Sequence, residues 1–270
     1  MNPTDCRAWL FDLDGVLTRT ADVHAAAWKS VFDDFLSTRT PIAGAPRAQS
    51  GGFDQVDDYL LYVDGRPRAD GVRTFLASRG IALPEGGADD PPAALTVMGI
   101  ANAKNKLFQE ILESRGVVVY DGVVELVGCL RSQGVPTAVV SASENTPAVL
   151  LAAGIIDLFD ACVDGTVVKR RHLAGKPAPD SYLEAATMLG VDPSLCAIVE
   201  DALAGVEAGR AGRFGLVIGV AHAGQADELR SHGADLVVSD LAELLPGLQR
   251  RGTGTVPRTD DPGREAHRLG

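Results

Sequence analysis

Five short, nearly unbroken apolar runs limit what this chain can fold into more than any other feature. They are Ala8 to Phe11, Thr137 to Val140, Ala197 to Val199, Leu216 to Val220 and Leu236 to Val238. None alternates apolar with polar residues, as a strand with one wet face would. Continuous Val, Ile, Leu and Ala mark strands covered on both faces. Between the last four runs lie stretches with helical spacing: Thr146 to Ala153, Asp180 to Leu189, Ala202 to Ala211 and Ala226 to His232. Gly154, Gly190 and Gly233 follow three of them, where helices end. Strand and helix in alternation predict an α/β fold, a doubly wound parallel sheet with a Rossmann-like core.

The segment from about Thr20 to Gly116 breaks this rhythm. It has helical stretches, Ala25 to Leu36, Gly71 to Arg79 and Asn102 to Arg115, but no buried strand, and Pro- and Gly-rich pieces such as "TPIAGAPRAQSGG" and "LPEGGADDPP" punctuate it. A helical insertion after the first strand is the expectation, with residues 20–115 forming it. Residues 1–19 and 116–245 then form a discontinuous core, and 246–270 a tail. The final "RRGTGTVPRTDDPGREAHRLG" is almost without apolar residues and reads as disordered. No run is long enough to span a membrane, and the first residues lack the basic and apolar regions of a signal peptide. A net charge of −11 repels phosphate backbones, which argues against nucleic acid as a partner. The four cysteines are scattered and form no CxxC pair, the usage of buried thiols in a reducing cytoplasm.

In an open α/β sheet, ligands bind beyond the carboxyl ends of the strands. Asp12 and Asp14 stand there after the first run, Ser141 after the second, and Glu200 and Asp201 after the third, while Lys176 lies in a loop before a helix. Four acids, a hydroxyl and a lysine therefore converge from separate segments. Carboxylates so gathered repel unless a cation neutralises them. Oxygen ligands without clustered His or Cys favour Mg²⁺ over Zn²⁺. With such an ion bound, one carboxylate can attack phosphorus and a second can carry a proton. A lysine and a serine then hold the phosphoryl group.

"FDLDGV", "SAS", "GKPAPD" and "EDALAG", in that order, resemble the four motifs of the haloacid dehalogenase-like superfamily. The resemblance implies a doubly wound sheet with a mobile cap. It implies Asp12 as the nucleophile that becomes an aspartyl phosphate and Asp14 as general acid and base. It places phosphate on Ser141 and Lys176, and Mg²⁺ on Asp12, the backbone carbonyl of Asp14 and Asp201, with Glu200 supporting. The dehalogenases themselves do not use a second aspartate, so Asp14 points to phosphoryl transfer. "DGVLTRTADVHAAAWK" is similar to the β-phosphoglucomutase subfamily. That finer resemblance implies His24 as a catalytic cap-hinge histidine that engages Asp14, and Thr20 as the hinge residue. It implies Arg68 for the distal phosphate and Lys104 for the sugar. Ala142 and Asn145 complete the substrate-binding set. Two positions depart from the subfamily pattern: Asp64 replaces a lysine before Gly65, with Arg66 close by to compensate, and Glu144 replaces the lysine after "SAS".

The expected reaction is conversion of β-glucose 1-phosphate to glucose 6-phosphate, with a small phosphorylated sugar as the partner. A phosphatase of small phosphorylated sugars is the first rival, and a non-catalytic binding relative the second. Plainer readings stand beside the site residues. Ser141 is a candidate helix N-cap, and Glu200 and Asp201 suit a helix N-terminus by charge alone. His24 shares a helix face with Trp28 and could pack there. Arg68 and Lys104 could be solvated charges, and the run Lys169 to His172 reads as an exposed face.

Overall fold

Six parallel strands form one sheet: β1 (Ala8–Phe11), β2 (Thr137–Val140), β3 (Ala161–Val163), β4 (Cys196–Glu200), β5 (Leu216–Val220) and β6 (Leu236–Val238). Their spatial order is β3-β2-β1-β4-β5-β6. The computed structural model describes residues 1–38, 51–222 and 224–249. β1 is central, with Leu10 in register with Ala138 on one side and Ile198 on the other.

The continuous apolar runs are explained by burial on both faces. Trp9 and Phe11 point into one core with Val139, Val199 and Ile218, under helix α4 (Val123–Ser132). Ala8 and Leu10 point into the opposite core with Val140, Ile198 and Tyr182, under helix α7 (Asp180–Leu189). Successive side chains leave a strand on opposite faces, so apolar residues at every position mean two covered faces.

The insertion stands between β1 and β2, as expected. It is helical: α1 (Ala21–Ser37), α2 (Arg68–Ser78) and α3 (Val97–Arg115), with a π-helical turn at Tyr59–Val63. It has its own apolar centre of Trp28, Phe32, Phe53, Phe75 and Ile100. Phe32 and Phe75 pack with ring centroids 4.1 Å apart. Such a separate core lets the unit hold its shape apart from the sheet.

Several elements differ from the sequence reading. β3 was not expected; it has three residues, lies at the sheet edge and is only partly buried, too short to show a pattern. Helices α4 and α6 (Gly165–Arg171) were also not expected. The core runs past residue 245, because helix α10 (Leu245–Gln249) buries Leu248 beneath the sheet. The remaining expected tail, 250–270, lies outside the described residues, as does most of "TPIAGAPRAQSGG". Helices α5 (Thr146–Ala152), α8 (Leu203–Ala211) and α9 (Ala226–His232) agree with the sequence reading to within a residue. Among the described residues, no helix is long and apolar enough to cross a membrane.

Candidate active site

The strand order reverses between β2-β1 and β1-β4, so the crossovers leave in opposite directions and open a crevice at the carboxyl end of β1. The insertion covers that crevice. One cavity there is lined by Asp12, Asp14, Ser141, Ala142, Asn145 and Asp201 from the core side, and by His24, Arg68 and Lys104 from the insertion. Asp64, Arg66, Glu144 and Lys169 line it too.

Lys176 is the electrostatic centre. Its ammonium donates to Asp12 Oδ1 at 2.5 Å and to Glu200 Oε1. Burial pushes the Lys176 amine down, but Asp12 and Glu200 more than reverse this, so it stays protonated. Burial raises the Asp12 carboxyl well above its usual range; Lys176 opposes that rise, and Glu200, Asp201 and Asp14 add to it. Glu200 is fully occupied: Oε1 also accepts from Tyr182 Oη at 2.6 Å and Oε2 from the Ala202 amide at 3.1 Å. Its side chain lies where a Cβ on Gly205 would be, 1.8 Å from Oε1, so the glycine makes room for it.

Asp12, Glu200 and Asp201 each bring a carboxylate oxygen within 4.8 Å of the others. Three oxygens that close, two from fully or nearly buried side chains, are a donor set for a hard divalent cation. Burial, opposed by His222, pushes the Asp201 carboxyl up to about 6. The crowding that raises Asp12 and Asp201 is what a bound cation would relieve, so the residues present fit a metal. Gly15 belongs to this arrangement. It has φ +91°, and a Cβ on it would sit 1.8 Å from Asp201 Oδ2.

Asp14 faces the insertion. Thr20 donates to its Oδ1, and Thr20 in turn lies 2.7 Å from the Thr18 hydroxyl. His24 Nε2 approaches the same oxygen at 3.3 Å, off the line of a hydrogen bond. Burial pushes Asp14 up, but His24, Thr20 and Lys104 outweigh it and hold the carboxyl at about 2. Asp14 is therefore the anion here. Behind it, His24 Nδ1 meets the Lys104 ammonium. Lys104 is 2% exposed and lies over the rings of Trp28 and Phe108. Burial pulls its amine down to about 7, against the attraction of Asp14. Lys104 is thus no solvated charge, and His24 packs on Phe108 with centroids 4.1 Å apart.

The loop after β2 is held in shape by its own hydrogen bonds. The Ser141 amide bonds to Val163, and Ser141 Oγ accepts from the Ser143 amide at 3.1 Å. Asn145 joins the two halves: it donates to Asn105 at 2.8 Å and accepts from Gln109 at 3.1 Å, both on α3. Among the expected substrate-binding residues, Thr20 and Lys176 do not line the cavity: the Thr20 hydroxyl is spent on Asp14, and the Lys176 ammonium lies behind the wall on Asp12 and Glu200. Three participants were missed in the sequence. Tyr182 gives no signal beyond an apolar helix face. His222 donates from Nε2 to the Gly15 carbonyl at 2.8 Å, 3.6 Å from Asp201 Oδ2. It follows the carboxyl end of β5, so strand-end position could have found it. Lys169, from the run read as an exposed face, reaches the cavity.

The model of the haloacid dehalogenase-like hydrolase family matches residues 6–213. A β-phosphoglucomutase from Mycobacterium tuberculosis is 49% identical over 246 residues, covering 90% of this chain and 93% of that protein. A β-phosphoglucomutase from Bacillus subtilis is 32% identical over 240 residues, 88% of this chain and 91% of the relative. The crystal structure of a β-phosphoglucomutase from Clostridium difficile superposes with a TM-score of 0.68 over 91% of this chain and 96% of that one; at 24% identity it supports the fold alone.

Proposed function

This chain belongs to the haloacid dehalogenase-like hydrolase family, and from that premise we propose that it is a Mg²⁺-dependent β-phosphoglucomutase, interconverting β-glucose 1-phosphate and glucose 6-phosphate through glucose 1,6-bisphosphate. The observation that carries this reading is the 49% identity to a mutase across 90% of the chain. The geometry supports it: the nucleophile, the proton carrier and cations from both halves line one cavity.

In this reading Asp12 attacks the phosphorus of the bisphosphate. A P–O bond forms to Asp12 as the P–O bond to the sugar breaks, and the departing sugar oxygen takes the proton that Asp14 received from a sugar hydroxyl when the bisphosphate was made. In the second half, a hydroxyl of β-glucose 1-phosphate gives its proton to Asp14 and takes the phosphoryl group from Asp12. Lys176 and Ser141 hold the transferring group. Asp12, Asp201 and the Asp14 carbonyl would hold Mg²⁺, with Glu200 fixing Lys176 behind them. The ion supplies charge neutralisation, so that an anionic carboxylate can approach an anionic phosphate. Thr20 and His24 keep Asp14 ionised and turned to the insertion until a sugar is bound. Lys104 and Asn145 close the insertion over the sugar and keep water from the aspartyl phosphate.

The test is direct. The protein with Mg²⁺, β-glucose 1-phosphate and a trace of glucose 1,6-bisphosphate is coupled to glucose-6-phosphate dehydrogenase. Glucose 6-phosphate without matching release of inorganic phosphate is the expected result. Stoichiometric phosphate release would make the protein a phosphatase instead.

A further inference from the structure

The cavity holds one ion cluster that the chemistry above does not use. Glu144 Oε2 accepts from an Arg68 Nη2 at 2.8 Å, and Glu144 Oε1 meets the Lys169 ammonium. Arg68 opens helix α2 of the insertion; Glu144 lies in the loop after β2; Lys169 lies on α6 of the core. All three line the cavity. The carboxylate thus spends one oxygen on each cation and bridges the seam between insertion and core. Arg68 and Glu144 are mostly buried there, with side chains 21% and 32% exposed.

We propose that Glu144 is an internal anion occupying the second-phosphate position of the cavity, and that Lys169, with Arg68, is the cation pair a bisphosphorylated sugar takes from it. This rests on the mutase reading, in which a bisphosphate must be held at both ends.

Three observations support it. A carboxylate with one oxygen on each of two cations makes the contacts that a phosphoryl group makes with two basic side chains. The cluster sits beside Ser143 and Asn145, on the same loop that carries Ser141. It also has a counterpart across the cavity. Lys176 and Asp12 mark the transferring end, and among the described residues Lys169 is the one basic residue of the core that lines the cavity, opposite Arg66 and Arg68 of the insertion.

The consequence is selectivity. A sugar with one phosphate can place it at Ser141 and Lys176 and leave Glu144 undisturbed. A bisphosphate must displace the carboxylate and offer both cations a stronger anion. The displaced Glu144 then stands near a dianion, a repulsive element that raises the threshold for weak ligands. Removing its charge frees both cations and removes that repulsion.

The assay compares two constants in the Mg²⁺-loaded protein: half-saturation by glucose 1,6-bisphosphate in the mutase reaction, and the KM for phenyl phosphate, a one-phosphate ester. Partly exposed pairs of this kind are worth up to about 1 kcal/mol, which predicts changes of up to about fivefold. Glu144→Gln should lower the bisphosphate constant by that factor relative to phenyl phosphate. Lys169→Ala should raise it by a similar factor, in the wild-type and in the Glu144→Gln background. An unchanged or raised ratio in Glu144→Gln would reduce Glu144 to a positioning residue for Arg68 and overturn the proposal. So would an unmoved ratio in Lys169→Ala. Lys169 lies on an exposed helix face, so that variant carries the test alone if Glu144→Gln does not fold. If the wild-type protein makes no glucose 6-phosphate at any bisphosphate concentration, the mutase reading fails and takes this proposal with it. A working mutase with unmoved ratios removes only this proposal.

Discussion

Replacing Lys176 by methionine removes the one cation among the described residues that hydrogen-bonds both Asp12 and Glu200. Methionine fills nearly the same volume, so packing is preserved and the charge is the perturbation. Glu200 is fully buried and Asp12 nearly so, 0% and 7% exposed, and neither can turn to water for solvation. Tyr182 and the Ala202 amide still serve Glu200, which limits its loss. Asp12 loses the hydrogen bond from the Lys176 ammonium outright. Breaking a buried pair from one side costs about 3–5 kcal/mol. At roughly 2–4 °C per kcal/mol for a chain near this size, the melting temperature should fall by roughly 6–20 °C. Melting is followed by circular dichroism in EDTA and again with millimolar Mg²⁺. The Mg²⁺-induced rise should be larger in Lys176→Met than in wild type, because the ion then supplies the positive charge that the ammonium no longer does. Turnover should be lost in both buffers. A fall of less than 2 °C in EDTA would refute the account of Lys176 as the charge that makes this acidic site foldable.

Gly15→Ala places a Cβ against Asp201 in a backbone conformation that disfavours it, so Mg²⁺ affinity by calorimetry should drop about tenfold or more while circular dichroism shows the fold intact. An unchanged affinity would take Asp201 out of the metal site. His24→Ala should lower mutase turnover by less than Asp14→Ala, whose loss as a general base is about 10²–10⁴-fold, and should leave the Mg²⁺ titration unmoved; wild-type turnover would return His24 to a packing role on Phe108. Lys104→Met bears on pH. The Lys104 amine is held at about 7 in the folded protein and lies near 10.4 when unfolded, so between those values the unfolded chain binds more protons and stability rises with pH. The penalty is full below pH 7 and relieved above it, so the variant's gain in urea midpoint should be greater at pH 6 than at pH 9. Equal gains would show that Lys104 is solvated.

The sheet and its catalytic ends were legible because their signals are local. A strand covered on both faces must be apolar at every position, and the residue that follows it must stand at the sheet's carboxyl edge; both facts are written in a few consecutive letters. Asp12, Asp14, Ser141 and Asp201 were found in this way and line one cavity, while Lys176, in a loop before a helix, reaches Asp12 from behind it. β3 escaped because three edge residues, only Val163 of them fully buried, carry too little pattern, and α6 because the basic end of its seven residues read only as an exposed face. What the tertiary structure alone decided are the pairings. Lys176 meets an aspartate 164 residues away, Lys104 a histidine 80 away and Arg68 a glutamate 76 away. A charge in a sequence carries no mark of its partner or its burial. Lys104 and Lys169 look alike as letters, yet one is sealed between aromatic rings and the other is mostly exposed, pairing with Glu144 at the cavity wall. The difference arises because the insertion folds around its own aromatic core and then lies over the sheet, so that distant side chains must neutralise one another where water is excluded.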